Sequence, residues 1–368
     1  MSAPTRQRAN RADRLDRLDH LDRLDRLQGV LLGTALGDAL GLPWEGMSAR
    51  RIARAVHRGT SLSAFRLLGP LARWRFGRRG FVSDDTEQTA LVATALARGR
   101  GDLQATVRAL RRSLAGWLLR LPWGIGLSTL KACLRLVVGL RRSGVRSAGN
   151  GAAMRAAVIG VHLASDAAKR RETGRALAEV THTDPRGVEG ALFVSEVAAG
   201  CANQGAPAGP QLITAALEVV DDPLLRAALD RAIALAADPS VDTARAAAEL
   251  GISGYVVESV AFATFCLLRA DDGIVPAITR CISAGGDTDT NAAILGAWLG
   301  ARLGASALPS DLVARLCGGP FGPRHLRALA RSLNEETPPP RFSAIAALLR
   351  NLALYPVVLL HGLRRLLP

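Results

Sequence analysis

Residues 29–41 read GVLLGTALGDALG, with glycine at 29, 33, 37 and 41. A second run, GAWLGARLG over 296–304, carries glycine at 296, 300 and 304. A spacing of four keeps each set on one face of a helix. Each face is then a stripe without side chains, where another helix can come close. Glycine costs about 1 kcal/mol per site inside a helix, and tight packing is the offset expected here. Membrane helices use the same spacing, but Asp38 and Arg302 interrupt these short segments. The pattern predicts close-packed helices.

Composition agrees. The chain has 368 residues, 49% of them hydrophobic, enough for a substantial core. Aromatics are only 4%, and Ala, Leu and Gly dominate, which suits helices better than sheets. The formal net charge is +15. That balance suggests nucleic acid, but the charge is scattered and aromatics are too few for a base-stacking platform. Only Lys131 and Lys169 are lysines, so the positive charge is nearly all arginine. Such a surface still attracts anions, including a nucleotide-like diphosphate. The five cysteines are far apart and form no CxxC pair, against a disulfide framework or zinc site. No apolar run approaches the roughly 20 residues of a membrane span, and no secretory h-region opens the chain. A cytoplasmic location is the expectation.

Three parts are expected: a charged helical leader over 1–28, a main domain over 29–337 and a tail over 338–368. From Asp13 the leader reads DRLDRLDHLDRLDRL. Asp13–Arg17, Asp19–Arg23 and Asp22–Arg26 are favourable i,i+4 pairs on a helix. A leucine every three residues drifts around a helix and makes a poor coiled-coil seam. The leader reads as a solvated helix or an appendage docking on a partner or over the site. Arg50–Arg79 holds nine arginines, no acid and several Gly/Pro breaks. It reads as mostly loop, either a solvated basic surface or a wall of an anion-binding cleft. Helices are expected over Glu87–Ala97, Leu103–Leu119, Gly187–Ala199, Pro223–Ala237 and Tyr255–Leu268, with no convincing strand. The tail, PPPRFSAIAALLRNLALYPVVLLHGLRRLLP, either packs on the body or lies on a membrane surface or partner.

Two acidic blocks each precede an apolar run: Ser83-Asp84-Asp85-Thr86-Glu87 and Gly285-Gly286-Asp287-Thr288-Asp289-Thr290-Asn291. Helix capping explains one acid in each, with Glu87 as a capping-box partner in the first. It does not explain paired acids twice. Four carboxylates in one place would raise one another's pKa, whereas Mg²⁺, Mn²⁺ and Ca²⁺ prefer such oxygens. An EF-hand fails, since Ala292 and Trp298 occupy its glycine and glutamate positions. From chemistry alone, a metal site and a pair of capping boxes both stay open. Three weaker blocks complete the set. In Gly149-Asn150-Gly151 a tight loop exposes backbone amides before a helix, a place for an anion. His182, in Thr181-His182-Thr183-Asp184-Pro185, can orient a ligand or be structural. Glu45 follows a helix at the start of a loop, where a carboxylate can be exposed.

Taken in order, the segments GVLLGTALGDALGLPWEG, SDDTEQT, GNGAAMRAA, THTDPRGVEGA and ISAGGDTDTNAAILGAWLGA resemble the ADP-ribosylglycohydrolase family over about three quarters of the chain. The resemblance implies an all-α fold of many helices around a binuclear site for two divalent cations, Mg²⁺ or Mn²⁺. It implies Ser83, Asp84, Asp85, Asp287, Asp289 and Thr290 as metal ligands. It puts Glu45 at the mouth of the cleft, Gly149, Asn150 and Gly151 around the ADP-ribose, and His182 in the substrate pocket. Serine at 83 stands where many members have threonine; the hydroxyl is kept.

The implied activity is hydrolysis of the bond between the ribose anomeric carbon and its acceptor, through an oxocarbenium-like transition state. The expected substrate is an ADP-ribosylated protein, modified on arginine first of all, with serine, a nucleic-acid base or a small ADP-ribose ester left open as acceptors. Catalysis is assigned to Glu45, Asp85 and Asp289, with the metals clamping ribose hydroxyls and orienting a water. The protein is expected as a monomer. The rival reading is a non-catalytic or dual-role module that binds ADP-ribose or a toxin through the leader.

Overall fold

The computed structural model describes residues 3–65, 79–203, 209–317 and 319–366. In chain order the helices begin with α1 (Ala3–Gly41), α2 (Ala49–His57), α3 (Asp84–Gly99), α4 (Leu103–Leu118) and α5 (Leu127–Val137). Next come α6 (Ala157–His162), α7 (Ala167–Glu179), α8 (Pro185–Ala202), α9 (Pro210–Ala216), α10 (Pro223–Ala237) and α11 (Thr243–Leu250). The last are α12 (Val256–Leu268), α13 (Ile274–Ser283), α14 (Thr288–Leu303), α15 (Ser310–Arg315), α16 (Pro323–Asn334) and α17 (Ala344–Leu366). Among the described residues, β pairing is confined to four isolated bridges. The fold is all-α, and the ends of the five expected helices fall within three residues of those observed, Pro223–Ala237 matching at both ends.

Polar starts and glycine stops explain many of these boundaries. Asp102, Asp166, Asp184, Asp222 and Asp242 each accept a backbone N–H from the first turn that follows. Pro185 and Pro223 sit just inside their helices, where no N–H is needed. Gly304 closes α14 at φ +81°.

The core is organised on α1 and α14, which run antiparallel. Gly29 faces Gly300, Gly33 faces Gly296, Gly37 faces Ala292, and Gly41 faces Thr288 and Asp289. A Cβ at any of these four α1 glycines would fall within 2.3 Å of a backbone oxygen on α14. The two stripes are thus each other's partners. Behind the seam, Trp298 donates its indole N–H to the Val194 carbonyl at 3.0 Å and meets Phe193 edge-on.

α1 is continuous across Gly29, and Leu27 is already fully buried. Asp25 accepts from the Ser306 amide and hydroxyl at 3.0 and 2.9 Å. Arg23 reaches Asn334 Oδ1 at 3.1 Å and the His162 carbonyl at 3.4 Å. The Asp22–Arg26 pair forms at 3.2 Å, while the Asp13–Arg17 pair lies outside the described side chains. The arginine-rich stretch departs from its loop reading: residues 49–57 form α2, anchored by buried Ile52. No Gly or Pro falls before Gly59, so nothing stops a helix there. Residues 66–78 of that stretch lie outside the described residues. The tail folds back as α17, with Ala347, Asn351 and Leu354 buried. The five cysteines are free. No described helix is long and apolar enough to cross a membrane.

Candidate active site

The first acidic block opens α3. Ser83 is the local cap, its hydroxyl accepting the Asp85 amide at 3.2 Å. A second cap comes from a distant helix. Asp38, on α1, accepts the Ser83 amide at 2.9 and 3.0 Å, the Thr86 amide at 3.1 Å and the Thr86 hydroxyl at 2.5 Å. With capping met by Ser83 and Asp38, the Asp84 and Asp85 side chains have other partners. Glu87 is not a capping-box partner: it accepts from the Trp117 indole at 2.6 Å and pairs with Arg350.

The second block opens α14, where Asp287 occupies the cap position but makes no side-chain cap. Its Oδ2 instead accepts from Asn150 Nδ2 at 2.7 Å. Thr290 Oγ1 donates to Asp85 Oδ2 at 3.3 Å, and Ser83 Oγ donates to the same oxygen at 2.9 Å. The seam therefore brings both blocks together. Asp38, Asp85 and Asp289 are buried and offer carboxylate oxygens that all lie within 4.8 Å of one another, a group able to hold a metal ion. Asp85 Oδ1 and Asp289 Oδ1 are buried without a hydrogen-bond partner.

Such crowding is costly without cations. Burial pushes the Asp84, Asp85 and Asp289 carboxyls well above the ordinary carboxylate value, and neighbouring carboxylates push them further. Burial also raises Asp38, to about 6, against hydrogen bonds from Thr86 and Ser83 that favour its charged form.

These groups open into a cavity of about 560 Å³ lined by Glu45, Asp84, Asp85, Asp287, Asp289, Thr290, Gly149, Asn150, Gly151 and His182, among others. Of the sequence-derived site residues, only Ser83 stands behind this wall, against Asp85. The lining loops are laced by backbone bonds: Gly46 N to Gly286 O at 2.8 Å, Asp287 N to Ile252 O at 2.8 Å, and Asn150 N to Gly254 O at 3.0 Å. Gly285 and Gly286 both have positive φ, and a Cβ on either would strike the backbone of the facing loop.

A buried polar chain joins the two ends of the cavity. Gln88 Nε2 donates to Asp84 Oδ2 at 2.9 Å, and Arg155 donates to Gln88 Oε1 at 2.5 Å and to Thr181 Oγ1 at 2.7 Å. Thr181 Oγ1 shares a hydrogen bond with His182 Nδ1 at 2.8 Å. Burial, with Arg155 nearby, lowers His182 to about 3, so its imidazole is neutral at pH 7. Sequence reasoning missed Asp38, Gln88 and Arg155 as parts of this site. For Asp38 a signal existed: it is the one charged residue within the glycine-rich run 29–41.

The family profile described as ADP-ribosylglycohydrolase matches residues 19–341. The chain is 31% identical over 280 residues to an uncharacterized protein of Archaeoglobus fulgidus, covering 74% of this chain and 86% of that protein. Among solved structures, a chain of an ADP-ribosylglycohydrolase-related protein complex is similar with a TM-score of 0.64 at 24% identity. The likeness covers 86% of this chain and 99% of that one, and bears on the fold.

Proposed function

Because the chain belongs to the ADP-ribosylglycohydrolase family, whose members hydrolyse a glycosidic bond, we propose that it frees ADP-ribose from arginine of a modified protein, using two divalent cations, Mg²⁺ or Mn²⁺. The observation that carries this reading is the meeting of two sequence-distant acid blocks at one cavity, with unpartnered oxygens on Asp85 and Asp289. An all-oxygen, carboxylate-rich set fits hard cations. Asp84, Asp85, Asp287, Asp289 and Thr290, backed by Ser83, would hold them. Bound there, the ions supply positive charge for the ribose hydroxyls and for an attacking water.

The chain's own groups do the rest. Asp38 clamps the start of α3, so Asp84 and Asp85 keep their aim toward α14. Asn150 fixes the Asp287 carboxylate. The Gly149–Gly151 loop presents backbone to the ADP-ribose, and a side chain at Gly151 would come within 3.0 Å of His182 and Thr129. Neutral His182, held at Nδ1 by Thr181, offers its other nitrogen to the substrate. Glu45 lines the cavity and accepts the water's proton.

The test is release of ADP-ribose from an ADP-ribosyl-arginine protein with Mg²⁺, with Mn²⁺ and with chelator. Release that needs metal and is lost in Asp289→Asn is the expected result. Release undiminished by chelator would overturn the metal reading, and activity confined to another linkage would overturn the arginine assignment.

A further inference from the structure

The C-terminal helix has two apolar faces, and the body uses one. Leu354 packs with Leu42 and Trp123, and Val358 joins the same cluster. Asn351 Nδ2 donates to the Arg120 carbonyl at 2.8 Å, and the Tyr355 hydroxyl donates to the Pro122 carbonyl at 3.2 Å. The other face carries Ile345, Leu349, Leu352, Leu359, Leu360 and Leu363, each 47–72% exposed. At about 3.6 residues per turn all six fall on one side of α17. Leu119 and Leu121, both exposed, flank Arg120 where α17 grips it. Single exposed leucines are ordinary, but six large apolar side chains on one side of one helix mark an interaction surface.

We propose that this face docks on an anionic lipid surface, with α17 lying in the headgroup plane. Charge decides the occupant. Residues 337–366 contain Arg341, Arg350, Arg364 and Arg365 and no acid. Arg350 is taken by Glu87, while Arg341, just ahead of the helix, is exposed. Residues 103–150, which include the strip that α17 grips, hold nine Arg and Lys and again no acid. Leucines that enter the acyl boundary beside arginines that meet lipid phosphates are the pattern of an interfacial helix. A second copy of the chain suits the face poorly, because it would set one acid-free helix against another on molecules of net charge +15. Spanning is excluded for α17, which Pro356 interrupts and which is not apolar enough to cross. The gripped strip runs on to Gly124, Gly126 and Leu127, which line the cavity. Docking therefore sets the cavity mouth beside the lipid, within reach of acceptors held near a membrane.

The experiment is flotation of the full chain with phosphatidylcholine vesicles, with and without phosphatidylserine, over a range of salt. Wild type is expected to float with the anionic vesicles, to release as salt rises, and to stay behind with the neutral ones. The Leu352→Glu/Leu359→Glu double variant is expected to lose at least about tenfold in vesicle affinity. Its melting temperature and activity on a soluble substrate should be unchanged. Vesicle binding is read without turnover, so it is independent of the hydrolase reading. Three outcomes overturn the proposal: no wild-type binding to anionic vesicles, equal binding by the double variant, or a lipid-free dimer in light scattering that the double variant dissociates.

Discussion

Replacing Gly37 by alanine tests the link between the helical seam and the acid cluster. A Cβ at Gly37 would sit 1.9 Å from the Ala292 carbonyl oxygen and 2.5 Å from its carbon. Ordinary contact begins at 3.4 Å, so the helices must part by on the order of 1 Å. Backbone lies on both sides, and no rotamer change relieves it. Alanine gains about 1 kcal/mol in helix propensity, while overpacking costs about 1–3 kcal/mol or more. Backbone contact puts the cost at the upper end, so a net loss of about 2 kcal/mol is expected in urea unfolding. The loss should reach the site, because Asp38 adjoins Gly37 and Asp289 lies one turn from Ala292. Weaker Mn²⁺ binding by calorimetry should therefore accompany it. Gly116→Ala is the control. It also lies in a helix, but its Cβ would meet only the Arg120 guanidinium, at 3.7 Å, so a gain of about 0.5–1 kcal/mol is expected. Equal urea midpoints for the two variants would refute the seam argument.

Three further outcomes follow from the buried polar groups. Without metal, Asp289→Asn should melt above wild type, because it removes one of several repelling carboxylates, and added Mn²⁺ should then raise its melting point less than it raises that of wild type; a lower metal-free melting point would contradict the repulsion. His162 is lowered from 6.5 to about 4, by burial first and by Arg23 next. Its folded value lies below its unfolded one, so its contribution, on the order of 3 kcal/mol, is present above pH 6.5 and lost as pH falls through about 4. Urea unfolding of His162→Gln should be correspondingly less sensitive to pH over that window. Thr181→Val strips an acceptor from buried Arg155 and the partner from His182 Nδ1, a loss of about 1–3 kcal/mol by denaturation; Thr181→Ser should retain most of it, and a neutral Thr181→Val would remove the polar chain from the account.

What could be read in the chain depended on how local the cause was. The glycine spacing is local, and it announced both faces of the seam, though not that they pair with each other. The acid blocks stood out because a helix cap calls for one acid at most and each block has at least two. Asp38 was seen only as an interruption of an apolar run, since its role lies 45 residues away at Ser83. Gln88 and Arg155 carry no local signature, because one buried hydrogen bond between helices leaves no periodicity. The helix over 49–57 was missed for a different reason. Arginine density suggested solvated loop, whereas a single buried isoleucine and the absence of breakers suffice to seat one short amphipathic helix.

The pairing of α1 with α14 also sets an order of events during synthesis. α1 is made before its partner stripe, which lies some 250 residues further on, from Thr288 onward. Until that stretch has left the ribosome, the glycine face of α1 has no partner. The cap that Asp38 supplies to α3 can form sooner, but the junction of the two acid blocks cannot. Closing so long a loop is entropically slow. The nascent chain therefore remains a set of helices whose central rail is open until α14 is made, and only then can the two acid blocks meet. A truncation that stops before α14 should behave as a chaperone client, however much of the remaining helical content it keeps.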